Sequence, residues 1–296
     1  MEQKPAHKSG FVNILGNPNV GKSTIMNALV GEKLSIITAK AQTTRHRIMG
    51  IVNGDDFQIV YSDTPGILKP EYRMQETMMG FVNLALTDAD MIVYVTDTVE
   101  KLAHKGEYIK KIKEASVPVI AVINKIDLSN QSELETIVET WRECFPASPV
   151  IPVSALQKFN LDALLNTILS KLPEGEPWFP KDQLTDKVER FFASEILREK
   201  ILLNYQKEIP YSVEIEIESF KEEKALIRIG AIIHVARQSQ KGIIIGHKGS
   251  MLKKTATEAR KDMELFFNKK IFLEVFVKVS KDWRDKPIML KKFGYN

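Results

Sequence analysis

The chain has 296 residues, a formal net charge of +4, 44% hydrophobic and 27% charged side chains. That length and balance leave room for two hydrophobic cores and exclude a fibrous or disordered chain. Cys144 is the one cysteine, which excludes an internal disulfide and fits a reducing compartment.

The charge is unevenly spread. Residues 1–184 carry 19 basic against 22 acidic side chains, and residues 185–296 carry 23 against 16. A basic second part points to a polyanionic partner. The first eight residues, Met1 to Lys8, lack the apolar core of a secretory signal. The strongest apolar runs, such as Val117–Ile123, fall far short of the roughly 20 residues that a membrane span needs.

In chain order, the apolar run Phe11–Leu15 reads as a strand and Ser23–Leu29 as a helix. Between them lies Gly16-Asn17-Pro18-Asn19-Val20-Gly21-Lys22-Ser23, a G-x-x-x-x-G-K-[ST] match in the strand–loop–helix setting a phosphate loop requires. Glycines let successive main-chain N–H groups curl around a polyphosphate. The helix that follows, with Thr24 in its first turn, directs its positive end at the anion. Lys22 is placed to reach the β- and γ-phosphates and Ser23 to offer a hydroxyl to Mg²⁺.

Residues 31–47 read as a polar loop containing Thr43 and Thr44. Two β-like runs, Ile48–Val52 and Phe57–Tyr61, flank the hairpin signal Asn53-Gly54. The second ends at Asp63-Thr64-Pro65-Gly66. An aspartate at such a strand tip is where phosphate-loop enzymes hold their metal, and Gly66 would donate its N–H to the γ-phosphate. Residues 66–79 read as a second mobile segment. Strand Met91–Val95 and a helix over 107–115 follow.

Strand Val117–Ile123 ends at Asn124-Lys125-Ile126-Asp127. Guanine offers N1–H and N2–H₂ side by side, so the Asp127 carboxylate can pair with it twice, whereas adenine would leave it unpaired. Asn124 braces the neighbouring loop, and the Lys125 stem suits the purine face. Strand Val150–Val153 leads to Ser154-Ala155-Leu156, a loop placed to offer a main-chain N–H to the base. The apolar stripe of Leu161–Leu172 reads as an amphipathic helix.

These stretches, in this order over residues 10 to about 172, resemble the five motifs of the translation-factor-type small GTPases. The resemblance implies an α/β domain with a mostly parallel sheet, helices on both faces, and GTP or GDP bound with Mg²⁺. Either Thr43 or Thr44 could reach the ion; the related families point to Thr44. The resemblance also makes Lys22, Thr44, Gly66 and Asn19 the catalytic set. Ile67 stands where Ras-like members carry the glutamine that orients water, so intrinsic turnover should be slow or assisted differently. Some members with an apolar residue there bind K⁺ through an asparagine matching Asn19; bracing the loop is an equal alternative for that side chain.

Pro173 to Pro180 breaks all periodicity with three prolines and a glycine and reads as a connector, which Trp178 and Phe179 could dock. After it come a helix over 186–203, strands over 211–220 and 225–235, a glycine loop, a helix over 250–267, a strand over 271–279 and a basic tail. Val213, Ile215 and Ile217 alternate with glutamates, as in a half-exposed sheet. The tail reads as a solvated end or as added phosphate-contacting surface. His46, His104 and His234 show no metal-ligand spacing.

Gly246-His247-Lys248-Gly249 resembles the G-x-x-G loop of the KH module, which clamps a short single-stranded backbone. Lys248 would meet phosphate with Lys253 nearby, and Ile243, Ile244 and Ile245 would form a floor for bases or part of the core. The order of elements matches the α+β, type II form. A GTPase domain (1–175), a connector (176–185) and a KH domain (186–296) together are similar to the Era family of GTPases. That resemblance implies binding near the 3′ end of small-subunit ribosomal RNA, a role in small-subunit assembly, a cytoplasmic monomer, and peripheral contact with the inner face of the cell membrane.

Overall fold

A computed structural model describes residues 6–100 and 106–295. His104 and the first five residues, both read above, lie outside that range. The chain divides into two compact units: residues 1–35, 44–69 and 78–186 form one, and residues 36–43, 70–77 and 187–296 form the other.

Among the described residues the first unit holds six strands, β1 (Lys8–Gly16), β2 (Ile48–Asn53), β3 (Phe57–Asp63), β4 (Met91–Asp97), β5 (Val119–Asn124) and β6 (Val150–Pro152). They lie in the order β2-β3-β1-β4-β5-β6. The hairpin at Asn53-Gly54 makes β2 antiparallel to β3, and the other pairings are parallel. Every residue of β4 is buried, because a central parallel strand is covered on both faces. Helices α1 (Lys22–Val30), α2 (Arg73–Thr87), α3 (Glu107–Lys113), α4 (Gln131–Cys144) and α5 (Leu161–Lys171) connect the strands. The stretch expected to be mobile up to residue 79 is thus helical from Arg73. Trp141 and Phe145 pack 5.4 and 6.0 Å from the Tyr94 ring, with buried Cys144 between them in sequence.

Register decides where the motifs go. Ile14 lies opposite both Asp63 and Val93, and Asp97 opposite Asn124. The carboxyl ends of β1, β3, β4 and β5 therefore share one edge, the place where open α/β sheets bind ligands.

The proline-rich connector is docked on this unit. Buried Gln58 accepts from the amides of Trp178 (2.7 Å) and Phe179 (2.9 Å) and donates to the Phe179 carbonyl at 2.8 Å. Trp178 packs 5.4 Å from the Phe11 ring. Thr185 bridges to Gly50, extending the β2 edge.

The second unit contains α6 (Glu189–Asn204), α7 (Ile209–Ser212), β7 (Val213–Glu222), β8 (Leu226–Val235), α8 (Gln238–Ile245), α9 (Ser250–Phe266), β9 (Lys270–Val279) and α10 (Pro287–Lys292). β8 is antiparallel to β7 and parallel to β9. Leu197 and Ile201 of α6, Ile229 and Ile233 of β8, and Ala259 and Met263 of α9 form the core. Residues 36–43 join this unit through hydrogen bonds: Arg198, paired with Glu195 inside α6, donates to the Thr43 carbonyl at 2.5 Å, and Tyr72 donates to Gln42 at 3.0 Å.

Two expectations need correcting. The glycine loop before α9 is shorter than its sequence suggests, because residues 238–245 are helical. A run of isoleucines beside Gly242 argues against a helix. Burial of Ile244 and the Gln240 side chain, which accepts from the amides of Ala236 and Arg237 at 3.0 Å, override that preference. The tail is neither wholly solvated nor wholly a phosphate-contacting surface. Trp283 is fully buried and donates to the Ser212 carbonyl at 3.0 Å, and Tyr295 donates to Glu214 at 2.7 Å. Lys292 pairs with Glu216, which also meets the buried His234 at 2.8 Å. One end of the sheet face bearing the glutamates is therefore covered.

Candidate nucleotide site and RNA-gripping loop

The phosphate loop runs from the end of β1 to the start of α1. Asn19 and Gly21 take positive φ of 66° and 93°. A side-chain carbon at Gly21 would stand 2.2 Å from Asn124 Nδ2, so close approach as well as backbone conformation demands glycine there. No side chain caps the first turn of α1, where Lys22, Ser23 and Thr24 present main-chain amides suited to an anion. Lys22 is buried, and its ammonium donates to the carbonyls of Gly16 (3.0 Å) and Asn17 (2.8 Å). Burial lowers its pKa to about 8, against the pull of the Asp63 and Glu100 charges.

Ser23, Thr44 and Asp63 converge. The Ser23 hydroxyl donates to Asp63 Oδ2 at 2.7 Å, Thr44 Oγ1 lies 2.9 Å from Ser23 Oγ, and Thr44 donates to Asp63 Oδ2 at 3.2 Å. The other carboxylate oxygen, Asp63 Oδ1, is buried without a hydrogen-bond partner. Burial raises the Asp63 pKa, and the Ser23 hydroxyl and the Lys22 charge offset part of that rise. Two hydroxyls and a carboxylate with an unsatisfied oxygen are an oxygen donor set of the kind Mg²⁺ takes. Thr43 is turned away, its hydroxyl donating to the Lys40 carbonyl at 2.6 Å. Gly66 lies against the loop: a side-chain carbon there would sit 2.7 Å from Pro18 Cα. The next residue, Ile67, donates its amide to the Gly16 carbonyl at 3.1 Å.

Asn124 joins the phosphate end of the site to the base end. Its Nδ2 donates to the Val20 carbonyl at 2.9 Å, and its Oδ1 accepts from the Ala155 amide at 3.0 Å. Asp127 accepts from the Ser154 hydroxyl at 2.5 Å. The Lys125 ammonium donates at 2.6 Å both to the Asn19 carbonyl and to Asp97. Lys22 and Asp127, 105 positions apart in the chain, thus flank one set of joined loops, and the Ala155 amide is engaged by Asn124.

Sequence reasoning missed Asp97 and Glu100. Asp97 is buried at the tip of β4 and accepts from the amides of Val99 (3.0 Å) and Glu100 (2.8 Å). The signal was available, since a carboxylate at the carboxyl end of a buried strand is the feature that singled out Asp63.

In the second unit Gly246 adopts φ 71° and ψ 179° and Gly249 φ 79°, and Lys248 itself has φ 48°. His247, Lys248 and Lys253 are exposed beside the start of α9. Ile243 is 49% exposed, but the Ile244 side chain is fully buried in the core. Of the three isoleucines read as a floor for bases or part of the core, Ile244 is therefore a core residue. His46 is half-buried, 6.1 Å from the Phe81 ring. Among the described residues no cluster of three or more His, Cys, Asp or Glu side chains could hold a metal.

Comparison with known proteins gives matches for both parts of the chain. Residues 11–125 match a family described as a 50S ribosome-binding GTPase, and residues 208–284 match the KH domain. The GTPase Era of Syntrophus aciditrophicus (strain SB) is 47% identical over 98% of this chain and 95% of its own. An Era crystal structure in complex with MgGDPNP and nucleotides 1506–1542 of 16S ribosomal RNA superposes with a TM-score of 0.93. It is 40% identical and covers 98% of this chain and 99% of its own. A single-site variant of Aquifex aeolicus Era bound to GDP and AlF₄⁻ has the same TM-score and identity, over 97% and 99% of the two chains. With both of its units and nearly all of its length accounted for, the chain belongs to the Era family of GTPases.

Proposed function

We propose that this chain binds GTP, hydrolyses it to GDP and phosphate, and uses the cycle to control its grip on single-stranded ribosomal RNA near the 3′ end of the small-subunit RNA during subunit assembly. The observation that carries the reading is the double hydrogen bond of Asn124, which ties the phosphate loop to the base-reading loop. Lys22 and the α1 amides hold the β- and γ-phosphates, and Asp127 pairs with guanine. Ser23, Thr44 and Asp63 would hold Mg²⁺, which when bound would supply positive charge beside the phosphates. The Gly66 amide donates to the γ-phosphate. The Ile67 side chain has no polar group with which to orient water. Asn19 is a candidate ligand for K⁺, an ion that would supply positive charge instead; equal rates in K⁺ and Na⁺ at matched ionic strength would remove that role.

On the RNA side, Gly246 and Gly249 allow close approach of a nucleic-acid backbone. Lys248, His247 and Lys253 meet phosphate, and Ile243 faces a base. Support for a switch comes from chain continuity: Thr44 directly follows segment 36–43, and segment 70–77 follows soon after Gly66, both segments belonging to the second unit. RNA corresponding to the small-subunit 3′ end should bind more tightly with a non-hydrolysable GTP analogue than with GDP. Equal affinities would remove the switch while leaving the nucleotide site. Monomeric state, cytoplasmic residence and peripheral membrane contact complete the proposal, testable by sedimentation, fractionation and vesicle flotation. No described helix is long and apolar enough to cross a membrane.

A further inference from the structure

We propose that the carboxylate of Glu100 is an electrostatic counterweight at the phosphate loop, weakening the hold on nucleotide phosphates and so setting how fast bound nucleotide leaves. Glu100 belongs to none of the five motifs. It follows β4 in a turn folded by Asp97, which accepts the amides of Val99 and Glu100. The turn delivers the side chain to the phosphate loop, where Asn17 Nδ2 donates to Oε1 and Thr96 Oγ1 donates to Oε2 at 3.1 Å. Both donors are neutral, so the hydrogen bonds fix the carboxylate without cancelling its charge.

The Asn17 main-chain carbonyl accepts from Lys22 at 2.8 Å. One loop residue therefore contacts both the acid and the ammonium that serves the phosphates. Glu100 lies close enough for its charge to act on Lys22. A negative charge at this place repels a polyphosphate and competes with it for the Lys22 ammonium. Asp63 differs, because its two hydroxyl neighbours and unsatisfied oxygen suit a divalent cation that would neutralise it. Among the described residues only neutral donors hydrogen-bond to Glu100.

The inference rests on the guanine-nucleotide reading above, and its test separates the two. Glu100→Gln keeps an acceptor for Asn17 and removes the charge, whereas Glu100→Asp keeps the charge and shortens the reach. Release of fluorescent GDP from the full chain is measured by stopped flow, with equilibrium titration of GTP, GDP and guanosine at low and high salt. The Gln variant should release GDP more slowly by about tenfold or more, the lower end of what one unit charge acting over several ångströms near a protein surface is worth. Its affinity gain should be largest for GTP, smaller for GDP, absent for guanosine, and reduced by salt. The Asp variant should release GDP at least as fast as the wild type. GDP release from a folded Gln variant within twofold of wild type, or weaker GDP binding by it, would overturn the counterweight role. A similar gain for guanosine would overturn it too. Failure of the wild type to bind GDP would instead overturn the guanine-nucleotide reading on which this inference stands.

Discussion

At the scale of single residues, burial sets the chemistry. Lys22 is the most exacting case, because the loop that presents it to phosphate also removes it from water and lowers its pKa to about 8. Phosphate anions favour the ammonium, so nucleotide binding should take up a proton just above that pH. Affinity should be flat below about pH 8 and fall as pH rises beyond it, since the neutral amine no longer attracts phosphate. Calorimetry near pH 9 in buffers of different ionisation enthalpy should detect the uptake; affinity unchanged from pH 7 to about 9.5 would contradict it. Lys22, Asp63 and Asp127 stand out in the sequence by type and spacing, and the structure brings them to the joined loops at one edge of the sheet. Asp97 carries the same strand-tip signal as Asp63, whereas Glu100 has no local pattern, because the turn after β4 is what carries it to Asn17.

Elements were legible where hydrophobic period and turn chemistry agree. The β2–β3 hairpin follows from Asn53-Gly54, and the parallel strands follow from short, continuous apolar runs. α8 was missed because its stability is tertiary: Ile244 enters the core, Tyr205 donates to the Ile244 carbonyl at 2.8 Å, and Gln240 caps the first turn. The tail was misread for the same reason, since Trp283 and Tyr295 find their partners some seventy to eighty positions upstream. The G-x-x-G loop makes an element-scale prediction. Replacing His247 and Lys248 together by aspartate leaves both glycines and the core isoleucine in place. It should lower RNA affinity about tenfold or more by like-charge repulsion of the backbone, with a melting temperature close to wild type. RNA affinity unchanged in a filter-binding or polarisation assay would move the RNA surface elsewhere.

For the whole molecule, the division of charge matches the proposed division of labour, in which a mildly acidic part builds the nucleotide site and a basic part carries the loop proposed to grip RNA. The composition of the units was only half legible. Segments 36–43 and 70–77 lie among the nucleotide motifs in sequence yet belong to the second unit, which contacts as distant as Arg198 with Thr43 bring about. Everything assigned to that division presumes that phosphate and base are read together in one pocket. The most direct test is equilibrium binding of GDP and xanthosine diphosphate to the wild type and to Asp127→Asn. Losing the bidentate carboxylate should weaken GDP about 100-fold, while the new amide donor meets the 2-oxo group of xanthine and makes xanthosine diphosphate the preferred ligand. Unchanged preference for GDP in the variant would show that Asp127 does not read the base of the nucleotide whose phosphates Lys22 holds.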